Sequence, residues 1–373
     1  MVKQKILIAD KMYSQLTEYI KDNQISRIFL VCDSSWPYLM IKNYFQSIEK
    51  DLKIAVVCFS DFSSNPLYES VVSGINLFCQ GEYDLIAAVG GGSAIDVAKC
   101  IKLFFDMDHS KNYLQQTIIP NDIKLLAIPT TAGTGSEATQ FAVIYYKGEK
   151  QSVTNDSCIP DAVVMDPSVL KTLPIYQRKS TAMDALCHGI ESFWSIYSTN
   201  ESMEYSQKAI KKILANLDGY LKGDYEAGRE MLFASHLAGK AINIAQTTAG
   251  HAMCYKLTSM YGIAHGHGAA LCVREIWPYM IANIDKCVDP RGKEYLSSMF
   301  YKLAVIMGYD SAKTGAEGFQ KIFGKLELEI PKYNDRTLEI LARSVNSIRL
   351  KNNPVSLSMD AIFELYSRIL EKG

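Results

Sequence analysis

The sequence has no long apolar run and no concentration of charge of either sign. No apolar stretch approaches the ~20 residues that a helix needs to span a bilayer, so we expect no membrane partner. Lysine and arginine total 39 against 40 aspartates and glutamates, which gives a formal net charge of −1 without a basic tract. Because nucleic-acid-binding proteins concentrate positive charge, we expect no nucleic-acid partner either.

Paired cysteines are also lacking. The nine cysteines are scattered, odd in number and include no CxxC pair. This usage is typical of reduced thiols rather than of a disulfide framework. The first ten residues, MVKQKILIAD, carry charges and lack the apolar segment of a signal peptide. We therefore expect a cytoplasmic protein.

The first 173 residues alternate short apolar runs with amphipathic stretches, which predicts an open α/β sheet. The near-continuous apolar runs predict buried strands of a parallel sheet. These runs lie at 27–32, 53–58, 85–89 and 125–129, and further strands are predicted at 141–146 and 162–165. Helices are predicted over 66–80 and 93–105, and the polar segment 147–161 is rich in turn residues.

From residue 174 to 373 long helical patterns replace the strands, which predicts a second, all-α domain. The patterns cover 204–217, 226–245, 295–307, 316–323, 336–348 and 359–371. We find no internal repeat, low-complexity segment or long linker, and therefore expect the domains 1–173 and 174–373 to pack tightly across a cleft.

Two glycine-rich turns follow predicted strands. VGGGSAID (89–96) lets backbone N–H groups at a helix start approach a phosphate, although it is not GxGxxG and also suits an ordinary tight turn. IPTTAGTGSEA (128–138) adds the hydroxyls of Thr130, Thr131, Thr134 and Ser136, or is simply a loop with Ser136 as an N-cap. Two such turns at one sheet edge favour a ligand at the carboxyl ends of the strands.

Asp33 ends the strand 27–32 and is followed by two serines. Its carboxylate could accept hydrogen bonds from an adenosine ribose, and its charge would oppose a 2′-phosphate, which favours NAD over NADP. An ordinary turn aspartate would look the same.

The histidines are concentrated. TTAGHAMCYKLTSMYGIAHGH (247–267) holds His251, His265 and His267, and His188 follows Asp184 by four residues. Helical positions i and i+4 share one face, so this pair could hold one ion that the later histidines enclose. The alternatives are a capping box of Thr181 with Asp184 and ordinary helix histidines. His109 and His236 stand in contexts typical of structural or surface residues.

An aspartate with three histidines is a mixed oxygen and nitrogen set that suits Fe(II) or Zn(II). Such a set leaves coordination positions open for a substrate oxygen.

Several segments together resemble the iron-dependent (group III) alcohol dehydrogenase family: GGGSAIDVAK (90–99), PTTAGTGSEAT (129–139), PDAVVMDPSVLKTLP (160–174), DALCHGIES (184–192) and GHAMCYKLTSMYGIAHGHG (250–268). The resemblance implies a Rossmann-like N-terminal domain and a helical C-terminal domain, the architecture shared with dehydroquinate synthase. It also suggests a homodimer and a cofactor in the cleft.

The resemblance assigns residues as well. It implies that the metal ligands are Asp184, His188, His251 and His265. It implies nicotinamide-cofactor contacts from Asp33, Asn65, Gly91, Gly92, Ser93, Asp96, Thr130, Thr131 and Lys150, to which the hydroxyl of Thr134 is added as a candidate. The reacting carbon is expected near His265.

The sequence departs from the family pattern at two positions. Tyr255 stands where many members have a further histidine, and Ala264 replaces a proline before His265. Tyr255, His267 or solvent would then take over proton transfer, so the predicted catalytic residues are His265, Tyr255 and His267.

YKLTS…GIxHGH is similar to the phosphonoacetaldehyde reductases within the family. Lys256, Arg178, Lys179 and Arg274 are the candidate cations for such a dianionic substrate.

The expected activity is reversible, metal-dependent hydride transfer between NAD(H) and a small primary alcohol or aldehyde, with phosphonoacetaldehyde to 2-hydroxyethylphosphonate as one candidate reaction. A metal-dependent lyase or cyclase resembling dehydroquinate synthase, which uses NAD transiently, is the alternative enzyme. A nucleotide-binding or interaction protein with a relic site is the alternative from another class.

Overall fold

A computed structural model of the chain describes residues 4–372, which form two compact units. The first unit comprises the chain up to Leu173 together with Gly223–Leu232, and the second comprises Pro174–Lys222 and the chain from Phe233 onward. Within residues 4–372, no helix combines the length and the apolar character needed to cross a bilayer.

Eight strands and four helices build the first unit. The strands are β1 (Lys5–Ile8), β2 (Arg27–Cys32), β3 (Ala55–Phe59), β4 (Leu85–Gly90), β5 (Lys124–Pro129), β6 (Phe141–Tyr146), β7 (Glu149–Thr154) and β8 (Ala162–Met165). The helices are α1 (Ser14–Asp22), α2 (Ile41–Asp51), α3 (Tyr68–Phe78) and α4 (Gly92–Phe104).

Six of these strands form one parallel sheet in the order β1-β8-β5-β4-β2-β3. β4 is buried along its whole length and β2 in all but its first residue, because helices cover both faces of such a sheet. The chain leaves β2 for β3 on one side and returns to β4 on the other. The carboxyl ends of β2 and β4 therefore flank a topological switch point, where open α/β sheets bind ligands.

Two strands of the first unit were not expected from the sequence pattern. β1 has only four residues and pairs at the edge with β8, so its apolar run is too short to stand out. The segment 147–161 contains β7, which pairs with β6 in an antiparallel hairpin. Only one residue of β7 is buried, and its sequence is mostly polar. It therefore lacks the continuous apolar run of a core strand. Lys147 and Gly148 form the two-residue turn at φ 53° and 79°.

The second unit is built from helices. They are α5 (Ile175–Trp194), α6 (Asn200–Leu221), α7 (Tyr225–Ala245, whose residues up to Leu232 group with the first unit), α8 (Ala249–Tyr261), α9 (His265–Ala282), α10 (Lys293–Ile306), α11 (Ala312–Lys325), α12 (Asp335–Ser344) and α13 (Met359–Ile369).

Two details of the second unit differ from the expected all-helical pattern. β9 (Lys332–Tyr333) and β10 (Glu371–Lys372) form a two-residue parallel ladder. α12 ends at Ser344 rather than at the predicted Ile348, because the backbone of Val345 is extended. Ile348 is exposed, so no apolar packing continues the helix to that residue. A 3-10 turn follows at Arg349–Asn352.

A buried lysine holds α4 against the loop that follows β5. The side chain of Lys99 is fully buried on α4. Its Nζ donates hydrogen bonds to the carbonyl oxygens of Ser136, Thr139 and Phe141, each at 2.7 Å. A buried ammonium is stable only when its donors are satisfied. Lys99 thereby fixes the second glycine-rich segment relative to the helix that starts at the first.

We expect Lys99→Met to lower the free energy of unfolding by about 2–4 kcal/mol, because it leaves three buried carbonyl oxygens without a donor. Thermal and urea unfolding measure the change. Lys50→Met on the exposed face of α2 is the matched control and should change stability little. Equal stability of the two variants would contradict the role of Lys99.

Candidate functional site

Three of the four predicted metal ligands meet inside the second unit. α5 carries Asp184 and His188 one turn apart, and α8 carries His251. All three side chains are buried, and their candidate ligand atoms lie within 4.8 Å of one another. The rings of His188 and His251 stack with centroids 4.5 Å apart. We call Asp184, His188 and His251 the metal cluster.

His265 lies beside the metal cluster and is not one of the three residues whose ligand atoms lie within 4.8 Å of one another. It is the first residue of α9, and its ring centroid is 5.3 Å from that of His251. It is close enough to contribute to lowering the pKa of Asp184. The geometry is compatible with a fourth ligand at the open side of the cluster, and the ligand set itself stays a prediction.

Glycines at two positions bring α9 back to the cluster. Gly262 ends α8 at φ 65°, a left-handed conformation that reverses the chain and favours glycine. Gly266 packs directly on α5, since a Cβ built there would lie 2.1 Å from the carbonyl oxygen of Ser180 and 2.5 Å from the Cβ of Asp184. Only a residue without a side chain permits this approach, so the helix start that bears His265 depends on Gly266.

Two buried carboxylates, those of Asp184 and Glu191, flank the histidines of the metal cluster. Burial alone would raise the pKa of Asp184, but His188, His265 and His251 outweigh it and lower that pKa. Burial acts to lower the pKa of His251, but the carboxylates of Glu191 and Asp184 raise it to about 9. Buried carboxylates of this kind need positive charge beside them.

A divalent metal fits this set. Asp184 Oδ1 and His251 Nε2 lie 3.5 Å apart in the buried cluster, and neither has a hydrogen bond among the described residues. One carboxylate oxygen and several imidazole nitrogens are donors that Fe(II) and Zn(II) both accept.

Glu191 is a functional residue that the sequence reasoning missed. It is fully buried on α5, and its Oε2 accepts a hydrogen bond from His251 Nδ1. Its Oε1 accepts from the backbone N and the Oγ1 of Thr248, at 3.0 and 2.7 Å. A proton held on Nδ1 leaves Nε2 of His251 as the metal-facing lone pair. The spacing i, i+4, i+7 of Asp184, His188 and Glu191 on one helix face could have revealed it.

The capping-box alternative for Asp184 is wrong. α5 begins at Ile175, so Thr181 and Asp184 lie inside the helix rather than at its start. Thr181 Oγ1 donates to the carbonyl oxygen of Gln177 at 2.7 Å.

The structure gives His267 partners on both sides of its ring, and the catalytic role predicted for it stays a prediction. Its ring is buried; Nε2 donates to the carbonyl oxygen of Glu329 at 2.8 Å, and Nδ1 bonds the Tyr176 hydroxyl at 3.1 Å. These bonds tie the start of α9 to Tyr176 and to the backbone at Glu329. Ala264 matters here, because its N–H donates to the same Tyr176 hydroxyl, a bond that proline could not make.

Tyr255 lies between the metal cluster region and a cavity. It is one helical turn after His251 on α8, and its ring stacks on His265 with centroids 5.6 Å apart. Burial raises the pKa of its hydroxyl, while the nearby Arg349 acts in the opposite direction. Tyr255 also lines a cavity of about 350 Å³, together with Thr247, Thr248, Arg349, Lys351 and Asn352.

The four cations predicted to bind the substrate, Arg178, Lys179, Lys256 and Arg274, do not line the cavity beside Tyr255. Arg178 donates to the carbonyl oxygen of Tyr220, and Arg274 donates to Glu275 and to backbone oxygens of α13. Neither Lys179 nor Lys256 lines the cavity beside Tyr255. Arg349 and Lys351 are the cations that line this cavity, and the substrate roles of the four candidate cations stay predictions.

The first unit gathers most of the predicted cofactor residues at one sheet edge. Asp33 Oδ2 accepts from the backbone N of Gly91 at 3.1 Å, and its Oδ1 accepts from Ser35. A Cβ on Gly92 would lie 3.0 Å from Thr134, and one on Gly91 would lie 3.5 Å from Thr131. The carboxyl ends of β2, β4 and β5 therefore meet around the N-terminus of α4, where Ser93 also lies.

The remaining cofactor candidates have the following places. Asp96 accepts from Ser136 Oγ at 2.6 Å and from the backbone N of Val143, so it joins α4 to β6, and burial raises its pKa. Lys150 on β7 is near enough to Asp96 to oppose that rise. Thr130 is buried after β5, where its N donates to Gly90. Asn65 is exposed in the β3–α3 loop at φ 57°.

Comparison with known proteins gives two family matches. "Iron-containing alcohol dehydrogenase" matches residues 3–167, and "Fe-containing alcohol dehydrogenase family, C-terminal" matches residues 179–370. Phosphonoacetaldehyde reductase of Streptomyces viridochromogenes is 30% identical over 298 residues, which cover 76% of this chain and 75% of that protein. NADPH-dependent butanol dehydrogenase of Clostridium saccharobutylicum is 34% identical over 62% of this chain, and the match spans 61% of that protein.

The fold is similar to that of solved structures. Sulfoacetaldehyde reductase from Bifidobacterium kashiwanohense in complex with NAD⁺ has a TM-score of 0.87 and 23% identity, covering 99% of this chain and 97% of that chain. The parallel sheet followed by helices and this likeness confirm the predicted fold class.

We expect Glu191→Gln to weaken Fe(II) and Zn(II) binding by about 10–100-fold. The amide would present N–H groups toward His251 Nδ1 and so favour the tautomer whose proton blocks Nε2. Chelator-competition titration measures the affinity without relying on turnover. Glu204→Gln, an exposed residue paired with Lys208 on α6, is the matched control. Unchanged metal affinity in Glu191→Gln would contradict the assignment.

We expect Gly266→Ala to destabilise the protein by about 1–3 kcal/mol through overpacking against α5, and to lower metal affinity because His265 moves with its helix. Thermal unfolding and metal content measure the two effects. Gly324→Ala on α11 is the control, since nothing lies within 4 Å of the added Cβ. If both variants bound metal equally, the close approach would not be needed for the cluster.

Proposed function

The chain belongs to the iron-containing alcohol dehydrogenase family, and from this premise we propose hydride transfer between NAD(H) and a small primary alcohol or aldehyde. The observation that carries the proposal is the convergence of Asp184, His188 and His251 within 4.8 Å in a buried site, with His265 beside them. An oxidoreductase of this family, rather than a lyase or a relic, is the activity that the family match supports.

The metal would be held by Asp184, His188, His251 and His265. Fe(II) is the ion we propose from the family, and Zn(II) suits the same donors. When bound, the metal supplies Lewis-acid polarisation of the substrate oxygen, and the nicotinamide supplies or accepts the hydride. Glu191 orients His251 through its Nδ1 proton. Asp184, His188 and His251 are buried, which limits the access of water to the metal that they would hold.

The domain 1–173 would bind the nucleotide, and the domain 174–373 the metal and the substrate. Asp33, Gly91, Gly92, Thr131 and Thr134 are grouped at one sheet edge beside the start of α4, where N–H donors favour a pyrophosphate. Asn65, Ser93, Asp96, Thr130 and Lys150 complete the proposed contacts. The charge of Asp33 opposes a 2′-phosphate, which favours NAD(H) over NADP(H).

Reduction of an aldehyde also consumes a proton. His267 has both ring nitrogens bonded to the protein. We assign proton delivery to Tyr255, whose ring stacks on His265, together with solvent in the cavity that it lines. Tyr255 would thus take the place of the further histidine found in many family members.

Phosphonoacetaldehyde, with 2-hydroxyethylphosphonate as product, is a candidate substrate, because a relative at 30% identity is a phosphonoacetaldehyde reductase. We also propose that the protein works as a cytoplasmic homodimer. None of the nine cysteines forms a disulfide within residues 4–372, which supports a reducing compartment.

The test is a screen of aldehydes for NADH oxidation, with protein loaded separately with Fe(II) and with Zn(II). We expect metal-dependent turnover that His265→Ala abolishes while NADH affinity, measured by titration, is largely kept. His109→Ala is the control, because this exposed histidine of the first unit hydrogen-bonds the Tyr113 hydroxyl and is not a predicted ligand. Near-normal turnover without metal or without His265 would refute the mechanism. Product formation without net NADH oxidation would favour a transient user of NAD.

A further inference from the structure

We propose that the cavity beside Tyr255 binds an acidic head group of the substrate, such as a phosphonate, sulfonate or carboxylate, through Arg349 and Lys351. The inference rests on the proposed function and names the class of aldehyde or alcohol that the site accepts. With a volume of about 350 Å³, the cavity is at the lower end of the range for small-ligand sites.

The charge of the cavity has one sign. Arg349 and Lys351 line it, and its other lining residues include no aspartate or glutamate. Among residues 4–372, neither cation lies within ion-pair distance of a carboxylate. Arg349 is half-buried, with its guanidinium carbon 4.8 Å from the ring centroid of Tyr255. A half-buried arginine without a carboxylate partner favours an anionic ligand in front of it.

The cavity adjoins the metal cluster through one turn of α8. Thr248 and Ala252 line the cavity and flank His251 in sequence. Tyr255 forms a common wall, because its ring contacts both His265 at 5.6 Å and Arg349 at 4.8 Å. The Arg349 guanidinium carbon therefore lies no more than 10.4 Å, the sum of these two distances, from the His265 ring centroid. On this proposal the substrate extends past Tyr255, with its acid group at Arg349 and its carbonyl at the cluster.

The position of the cations is fixed relative to the cluster. Asn352 is buried in the 3-10 turn that carries Arg349, and its Nδ2 donates to Gln246 Oε1 at 2.9 Å and to the carbonyl oxygen of Thr247 at 3.1 Å. Gln246 has φ 59°, a conformation that non-glycine residues rarely adopt. Such strained residues are concentrated at functional sites. These bonds tie the turn to the segment that leads into His251.

The geometry of the donors suits tetrahedral or planar acids. Arginine offers a fork of N–H groups to two oxygens, and lysine adds a mobile point charge at the exposed rim. Thr247 lines the same cavity and adds a hydroxyl. A neutral aldehyde of the same length would leave these groups in water and gain nothing from them.

The experiment uses iron-loaded protein and three aldehydes: phosphonoacetaldehyde, sulfoacetaldehyde and the neutral propionaldehyde. In the wild type we expect a higher kcat/KM for the acidic aldehydes. In Arg349→Gln/Lys351→Met the ratio of kcat/KM for an acidic aldehyde to that for propionaldehyde should fall by about 100-fold, mainly through KM. Arg349→Lys should recover part of the ratio. Arg336→Gln, exposed on α12 and outside the cavity, should leave the ratio unchanged.

A second measurement does not depend on turnover. Phosphonoacetate and sulfoacetate, which lack the reducible carbonyl, should bind the wild type and lose affinity in the double variant to a similar extent. The phosphonate and sulfonate arms show which acid the cavity prefers. If the wild type reduces aldehydes but the ratio and the binding do not change in the variants, the cavity assignment is wrong. If the wild type reduces none of the three aldehydes and the analogues still bind through Arg349, the proposed reaction fails and the anion site stands.

Discussion

Two buried carboxylates on one face of α5 are the constraint on which the rest of the site depends. Asp184 and Glu191 both lie out of contact with water, and His251 lies between them, bonded to Glu191 through Nδ1 and facing Asp184 with Nε2. A neutral imidazole in this orientation directs a lone pair toward a carboxylate, which is unfavourable unless a cation is present. The cluster is therefore built to require positive charge at the one point where its donors converge.

That requirement explains the small residues around it. Helix α9 must begin within reach of α5 to bring His265 near the cluster, and Gly262 and Gly266 make the turn and the contact possible. Tyr176 secures the same helix start through Ala264 and His267. His267 thus helps to hold the start of α9. The glycines within 247–267 are explained by close helix packing around a site rather than by loop flexibility.

The sequence was sufficient where a signal is local and insufficient where it depends on tertiary contact. Buried parallel strands and the i, i+4 pair of Asp184 and His188 follow from periodicity, and both are present as expected. β7 could not be predicted, because a hairpin strand that is largely exposed to solvent has no apolar run. Glu191 was overlooked because an acidic residue in a helix usually faces solvent, and only packing against α8 shows that it does not. The hydrogen bonds of His267 could not be predicted, because its partners, Tyr176 and the carbonyl of Glu329, are distant in sequence.

The cations that line the cavity could not be predicted from the sequence. The sequence offers Arg178, Lys179, Lys256 and Arg274 as candidates, but sequence proximity on a helix says little about which side chains share a cavity. Arg349 reaches Tyr255 from a 3-10 turn beyond α12, anchored by Asn352. The metal cluster stands on the buried faces of α5 and α8, whereas the cavity cations stand on a surface turn that contributes little to the core. A turn of this kind tolerates substitution better than a packed helix. On the proposed assignment of the cavity, this division allows substrate preference to change through Arg349 and Lys351 while the helices of the metal cluster stay as they are.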